Sequence, residues 1–128
     1  MILECPARIL REIAGLGREN MDALRMGVLF GEFENGVVRV ESWREAKARV
    51  EHVIPEADDA VLRRVIAATP DSQAVGFFVR RGGEEGETRL SEADVEVFEQ
   101  VFPERWQVAL AMREEAGGSK ARFFAHCG

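Results

Sequence analysis

Ala74-Val-Gly-Phe-Phe-Val-Arg-Arg-Gly-Gly83, followed by Leu90-Ser-Glu-Ala-Asp94, decides how the chain is read. The unbroken apolar run 74–79 fits a strand covered on both faces, and therefore one in the middle of a sheet. Gly82, Gly83 and Gly86 make residues 80–89 a polar loop. Ser91-x-x-Asp94 ahead of an apolar run is a helix N-cap with an acid in the first turn, an arrangement worth about 1 kcal/mol. A loop between a strand end and a helix start is a common place for a metal site, because two rigid elements hold the ligands there. This loop carries arginines and no histidine.

Working outward, the helix begun at Ser91 is expected to bury Val95, Phe98, Val101 and Phe102 and to break at Pro103. Two further strands are expected at Trp106–Met112 and Lys120–Ala125. Upstream, Met26-Gly-Val-Leu-Phe-Gly-Glu-Phe33 reads as a second strand covered on both faces. Asn35-Gly36 is a hairpin signal, since both residues tolerate positive φ, and Val37–Ser42 is the return strand. Pro6–Leu16 spaces Ile9, Leu10, Ile13 and Leu16 as a helix ending at Gly15 or Gly17. Pro55 is expected to open another helix, with Asp58 and Asp59 matching its dipole and Val61, Leu62, Val65 and Ile66 as its buried stripe. Residues 43–54 suit either a helix or an irregular crossing. The predicted order is α-β-β-α-β-α-β-β: one domain of mixed α/β class, with helices packed around a mixed sheet.

At 128 residues the chain is one domain by size, and such a chain buries roughly 68% of its unfolded surface, enough to stand without staples. The net charge of −6 argues against a nucleic-acid partner, and the Arg63-Arg64 and Arg80-Arg81 pairs are too few to make a basic face. No apolar run reaches the roughly 18 residues of a membrane span. Met1–Pro6 lacks the basic start of an export signal, and Cys127 stands second from the end, outside a prenylation box. The expectation is a cytoplasmic protein with Cys5 and Cys127 reduced. No Walker loop occurs, Gly15-x-Gly17 lacks a third glycine, and Gly82–Glu87 lacks the Asp-x-Asp spacing of a calcium loop. His52 and His126 lie in different segments; neither they nor the terminal cysteines have the spacing of a metal or Cys-His site.

Several of these pieces, in their order, resemble the JAMM/MPN domain family. Met26-Gly-Val-Leu-Phe-Gly31 looks like its glycine-bounded strand and Asn35-Gly-Val-Val-Arg-Val40 like the following hairpin. Val75-Gly-Phe-Phe78 looks like the strand that delivers its metal-binding histidines, and Leu90-Ser-Glu-Ala-Asp94 like the helix start carrying its serine and third metal ligand. The resemblance covers about residues 20–126 as an order of elements. It implies a curved mixed sheet. It also implies descent from zinc peptidases that cleave bonds beside the C-terminus of ubiquitin-like modifiers, using a His-x-His pair, an aspartate and a glutamate base. Three fixed ligands and one open position bring the pKa of zinc-bound water to about 7.

Position by position the chain departs from that pattern. The histidine positions fall on Val79 and Arg81, or, counted back from Asp94, on Arg81 and Gly83. The glutamate position is Leu24; only Ser91 and Asp94 remain. Valine offers no lone pair, and a guanidinium repels a dication. The resemblance therefore implies an inactive relative without metal or cofactor, acting as a scaffold or interaction module for a protein partner, and compatible with a homodimer. Two other readings stand beside it: a peptidase of the same fold with atypical ligands, and a domain binding a small anion under Phe77, Phe78 and Arg80. Arg80, Arg81 and Phe78 are the candidate contacts to ligand or partner. Arg81 and Asp94 are expected to attract each other, and the Phe77-Phe78 and Phe123-Phe124 pairs to send one ring to each face of a strand.

Overall fold

The computed structural model describes residues 2–16, 24–46, 57–81, 88–115 and 118–126. Asn35 and Gly36 both take positive φ, 54° and 75°, and turn β2 (Arg25–Glu34) back into β3 (Val37–Glu45). That hairpin lies beside β4 (Gln73–Arg81), which pairs antiparallel with β2 and parallel with β5 (Val108–Glu115). β6 (Gly118–Ala125) folds back antiparallel on β5. A short strand, β1 (Ile2–Glu4), runs parallel to the far side of β3. The result is a six-stranded mixed sheet in the order β1-β3-β2-β4-β5-β6.

The predicted order of helices and strands is the observed one, with β1 added ahead of it. Three residues carry no periodicity, so β1 had no signature to read. The apolar run 74–79 does occupy the middle of the sheet: every residue from Val75 to Arg80 is buried.

Alternation along the strands divides the core in two. Val28, Phe30, Phe77, Val79, Ala109 and Ala111 face one side, where they meet Val61 and Leu62 of α2 (Asp59–Ala67) and Val97, Phe98, Val101 and Phe102 of α3 (Glu92–Val101) and its C-cap. Leu29, Val38, Val40, Val75, Phe78, Val108 and Leu110 face the other, under Ile9 and Ile13 of α1 (Ala7–Ala14). Phe77 and Phe78 point to opposite faces, and Phe124 and Phe123 extend the same division at the sheet edge. On the α3 side Phe77 stacks on Phe102 at 5.2 Å between ring centres and meets Phe98 at 5.9 Å. Among the described residues no helix is long and apolar enough to cross a membrane.

Three boundaries and one buried position differ from the sequence reading. The described helix α2 begins at Asp59 with Asp58 as its cap, the carboxylate accepting from the Ala60 and Val61 N–H groups at 2.9 and 3.4 Å. Pro55 lies outside the described residues. Val95 is 40% exposed, and Val97 is buried in its place. The inner face of α3 runs Asp94, Val97, Phe98, Val101, a helical spacing whose first position holds a carboxylate and so escaped a search for apolar residues. Trp106 precedes β5 rather than starting it and stacks on Phe33, ring centres 4.8 Å apart. Trp43 belongs to β3, where its indole N–H donates to Glu12 Oε1 at 2.9 Å; residues 47–56, including His52, lie outside the described set.

Candidate functional site

β4 ends where α3 begins, and the two elements carry one hydrogen-bonded cluster. Ser91 is extended and caps α3: its Oγ accepts from the Asp94 N–H at 3.2 Å, and its own N–H donates to Asp94 Oδ2 at 2.9 Å. This reciprocal capping box fixes the Asp94 rotamer. Arg81, the last residue of β4, then donates from Nη1 to Asp94 Oδ2 at 2.8 Å and from Nη2 to Oδ1 at 2.9 Å. The Ser91 hydroxyl lies 3.5 Å from Nη2, at the limit of hydrogen-bond reach. Asp94 has no exposed surface, while the Arg81 side chain keeps 27% of its own.

Two parallel charge-assisted bonds to a fully buried carboxylate are the strong form of an ion pair, in which the planar guanidinium matches both oxygens. Burial of the pair costs desolvation of both ions, which the Ser91 N–H and the bidentate geometry offset. Every Asp94 oxygen has a donor, so the carboxylate has little left to offer a cation.

The other positions singled out in the sequence are placed as follows. Val79 points to the same face as Arg81 and Asp94 and is wholly buried in the core beneath α2 and α3. Leu24, just ahead of β2, packs half-buried against that core. Positions 24, 79, 81 and 94 are thus gathered on one face, but their side chains are leucine, valine, arginine and aspartate. Among the described residues no group of three or more His, Cys, Asp or Glu is placed to hold a metal ion. The residues present do not fit zinc. Gly82, Gly83 and Gly86 lie outside the described residues.

Phe78 and Arg80 are buried on the opposite face from Arg81. Phe78 meets Trp43 edge-on at 5.7 Å. Of the three candidate contact residues, Arg81 alone reaches the surface. His126 is no neighbour of this site. It stacks on Phe98 at 3.7 Å between ring centres and hydrogen-bonds the Phe102 carbonyl, tying the end of β6 to the end of α3. Cys5 is a half-buried free thiol, held above its ordinary pKa by that burial; Cys127 is outside the described residues.

Two residues not singled out in the sequence lie beside the pair. Arg89, Leu90, Ser91 and Glu92 join Arg81 and Arg113 around a hollow of about 450 Å³. Arg113 stands directly across the β4–β5 ladder from Arg81. A single arginine after an apolar run gives no hint of this; only the strand register brings it there.

No protein-family profile matches the chain, and no curated protein matches it. Solved structures do. The chain is similar to the solution structure of a Desulfitobacterium hafniense protein, with a TM-score of 0.69 and 16% identity over 97% of this chain and 84% of that one. It is also similar to the solution structure of a Salinibacter ruber protein, with a TM-score of 0.60 and 17% identity over 97% of this chain and 82% of that one. At such identities the likeness is one of fold.

Proposed function

We propose that this chain is a catalytically inactive relative of the JAMM/MPN metalloproteases, a cytoplasmic interaction or scaffold module for a protein partner of the ubiquitin-like or carrier kind. The family part of this reading rests on the ordered pieces of sequence from Met26 to Asp94. The inactive part is carried by one observation: Arg81 holds both oxygens of Asp94, the one ligand position that kept a donor. Val79 and Leu24 supply no donor at the remaining positions on that face. A positive charge seated 2.8 Å from the Asp94 carboxylate opposes a dication there by direct repulsion.

The test is the metal content and peptidase activity of the full chain purified from zinc-replete medium. Substoichiometric zinc and no cleavage of ubiquitin-like fusions are expected. Stoichiometric zinc that disappears in Asp94→Ala would overturn the reading. The interaction part is tested by capturing partners from the source cell and rebuilding the complex from purified components. One partner at fixed stoichiometry supports it, and failure of every captured protein to rebind counts against it.

A further inference from the structure

The two edges of the six-stranded sheet are unlike. β1 is three residues long and gives another chain little to pair with. β6 runs for eight residues, from Gly118 to Ala125, longer than the average strand of about 5–6. It keeps one unbroken register with β5, from Glu115↔Gly118 to Val108↔Ala125, and no bulge turns its outer side away. It contains no proline. Among the described residues no strand pairs with that outer side. Gly118–Arg122 are all exposed. Gly118 has no side chain and Ala121 only a methyl group, so main chain itself meets solvent there. Such an edge carries a row of N–H and C=O groups able to receive another strand. Its far end is held, because His126 stacks on Phe98 and bonds the Phe102 carbonyl. A rigid edge loses little freedom when a second strand joins it.

We propose that a protein partner docks on the β6 edge by adding a strand: an extended segment with an acidic residue opposite Arg122 and an apolar residue two positions along, opposite Phe124. The inference rests on the interaction reading above, whose docking site it names, and not on the family resemblance. Main-chain bonds along the edge supply affinity, and side chains at alternate positions supply selectivity. Arg122 and Phe124 are two apart and so share a face, the one that looks toward α2 and α3. The Arg122 guanidinium lies 5.0 Å over the Phe124 ring centre, and among the described residues no carboxylate pairs with it. An acid directly across from it is a favourable cross-strand pair. The strand is a poor partner for itself. A second copy aligned antiparallel about Arg122 sets two guanidinium groups directly opposite each other, an unfavourable pair.

The test is NMR titration of the full chain with a capped peptide that alternates threonine with glutamate and valine. Two control peptides carry lysine in place of glutamate, or N-methyl groups on the central amides. The acidic peptide is expected to bind with Kd at or below about 1 mM and to shift amide signals of residues 118–125. Both controls should bind at least threefold more weakly, and so should Arg122→Glu with the acidic peptide. Arg122 is exposed, and Arg122→Gln serves as the second variant if Arg122→Glu does not fold. No binding, equal binding of either control, unaltered binding by the folded variant, or signals that shift only outside β6 overturns the proposal. A wild-type dimer that parts on Arg122→Glu overturns it in favour of a second copy. A captured partner that binds Arg122→Glu as tightly as wild type removes the edge and leaves the interaction reading standing; peptide binding with no partner recovered removes that reading instead, and the proposal with it.

Discussion

Arg81 and Asp94, thirteen residues apart in the chain, meet through two parallel hydrogen bonds of 2.8 and 2.9 Å, one partner fully buried and the other at the surface. This asymmetry predicts unequal variants. Arg81→Met leaves a buried carboxylate with only the Ser91 N–H as partner and should cost about 2–4 kcal/mol. Asp94→Asn leaves a guanidinium that can turn to water, and should cost less, about 1–3 kcal/mol including the weakened cap. Urea unfolding of both variants and of the double variant checks the coupling. Additive effects would show that the pair contributes nothing of its own.

Val79 and Arg81 sit two apart on one strand face with Asp94 opposite. Val79→His with Arg81→His should therefore create a three-ligand set. The double variant is expected to be less stable than wild type without metal, because a polar ring enters the core. Zinc should raise its Tm, and wild type and either single variant should show no such rise. Equal response of all four proteins to zinc would mean that these positions do not converge.

Gly36 and Gly76 are required for different reasons. Gly36 has φ of 75° with open space around it, so Gly36→Ala meets only the backbone penalty, about 1 kcal/mol. A methyl group at Gly76 would fall on the Val108 carbonyl of the neighbouring strand. Gly76→Ala should cost about 3 kcal/mol or more, or fail to fold. Thermal unfolding of the two variants ranks them; a larger loss at Gly36 would contradict the assigned strand packing.

His126→Ala removes both the stack on Phe98 and the bond to the Phe102 carbonyl. A loss of about 1–2 kcal/mol is expected, with zinc content unchanged. A role for His126 in metal binding would appear instead as a loss of bound metal at unaltered stability.

The Cys5 thiol is pushed above its ordinary value of 9.0 by burial. The folded state thus favours the neutral thiol. This contribution is complete below the unfolded pKa and is lost as pH rises through the folded one, above about pH 9. In a Cys127→Ser background, alkylation should be slow near neutral pH and have a midpoint above that of the urea-unfolded chain. A midpoint at or below the unfolded value would place the thiol in an environment other than the one described.

Regular elements were legible in the sequence because their signals are local. Asn35-Gly36 marks its hairpin through two residues that accept positive φ, and Ser91-x-x-Asp94 marks its cap through side chains that reach only one turn. The apolar run at 74–79 announces a central strand because burial on both faces leaves no polar position. Even the Arg81–Asp94 attraction was readable, since a strand end and the next helix start must lie close. The burial of Val97 in place of Val95 was not, because Asp94 holds the first position of the inner face and reads as polar.

Composition, caps and runs thus determined by themselves the mixed class, the order of elements and the absence of imidazole from the aligned positions. The tertiary structure alone decided which side chains share a face: Arg113 and Lys120 in line with Arg81, Phe78 and Arg80 turned away from it, His126 bound to the end of α3. The reason is physical. Caps and turns are satisfied within a few residues, whereas strand register is fixed by packing between segments distant in the chain, and register sets which charges stand side by side.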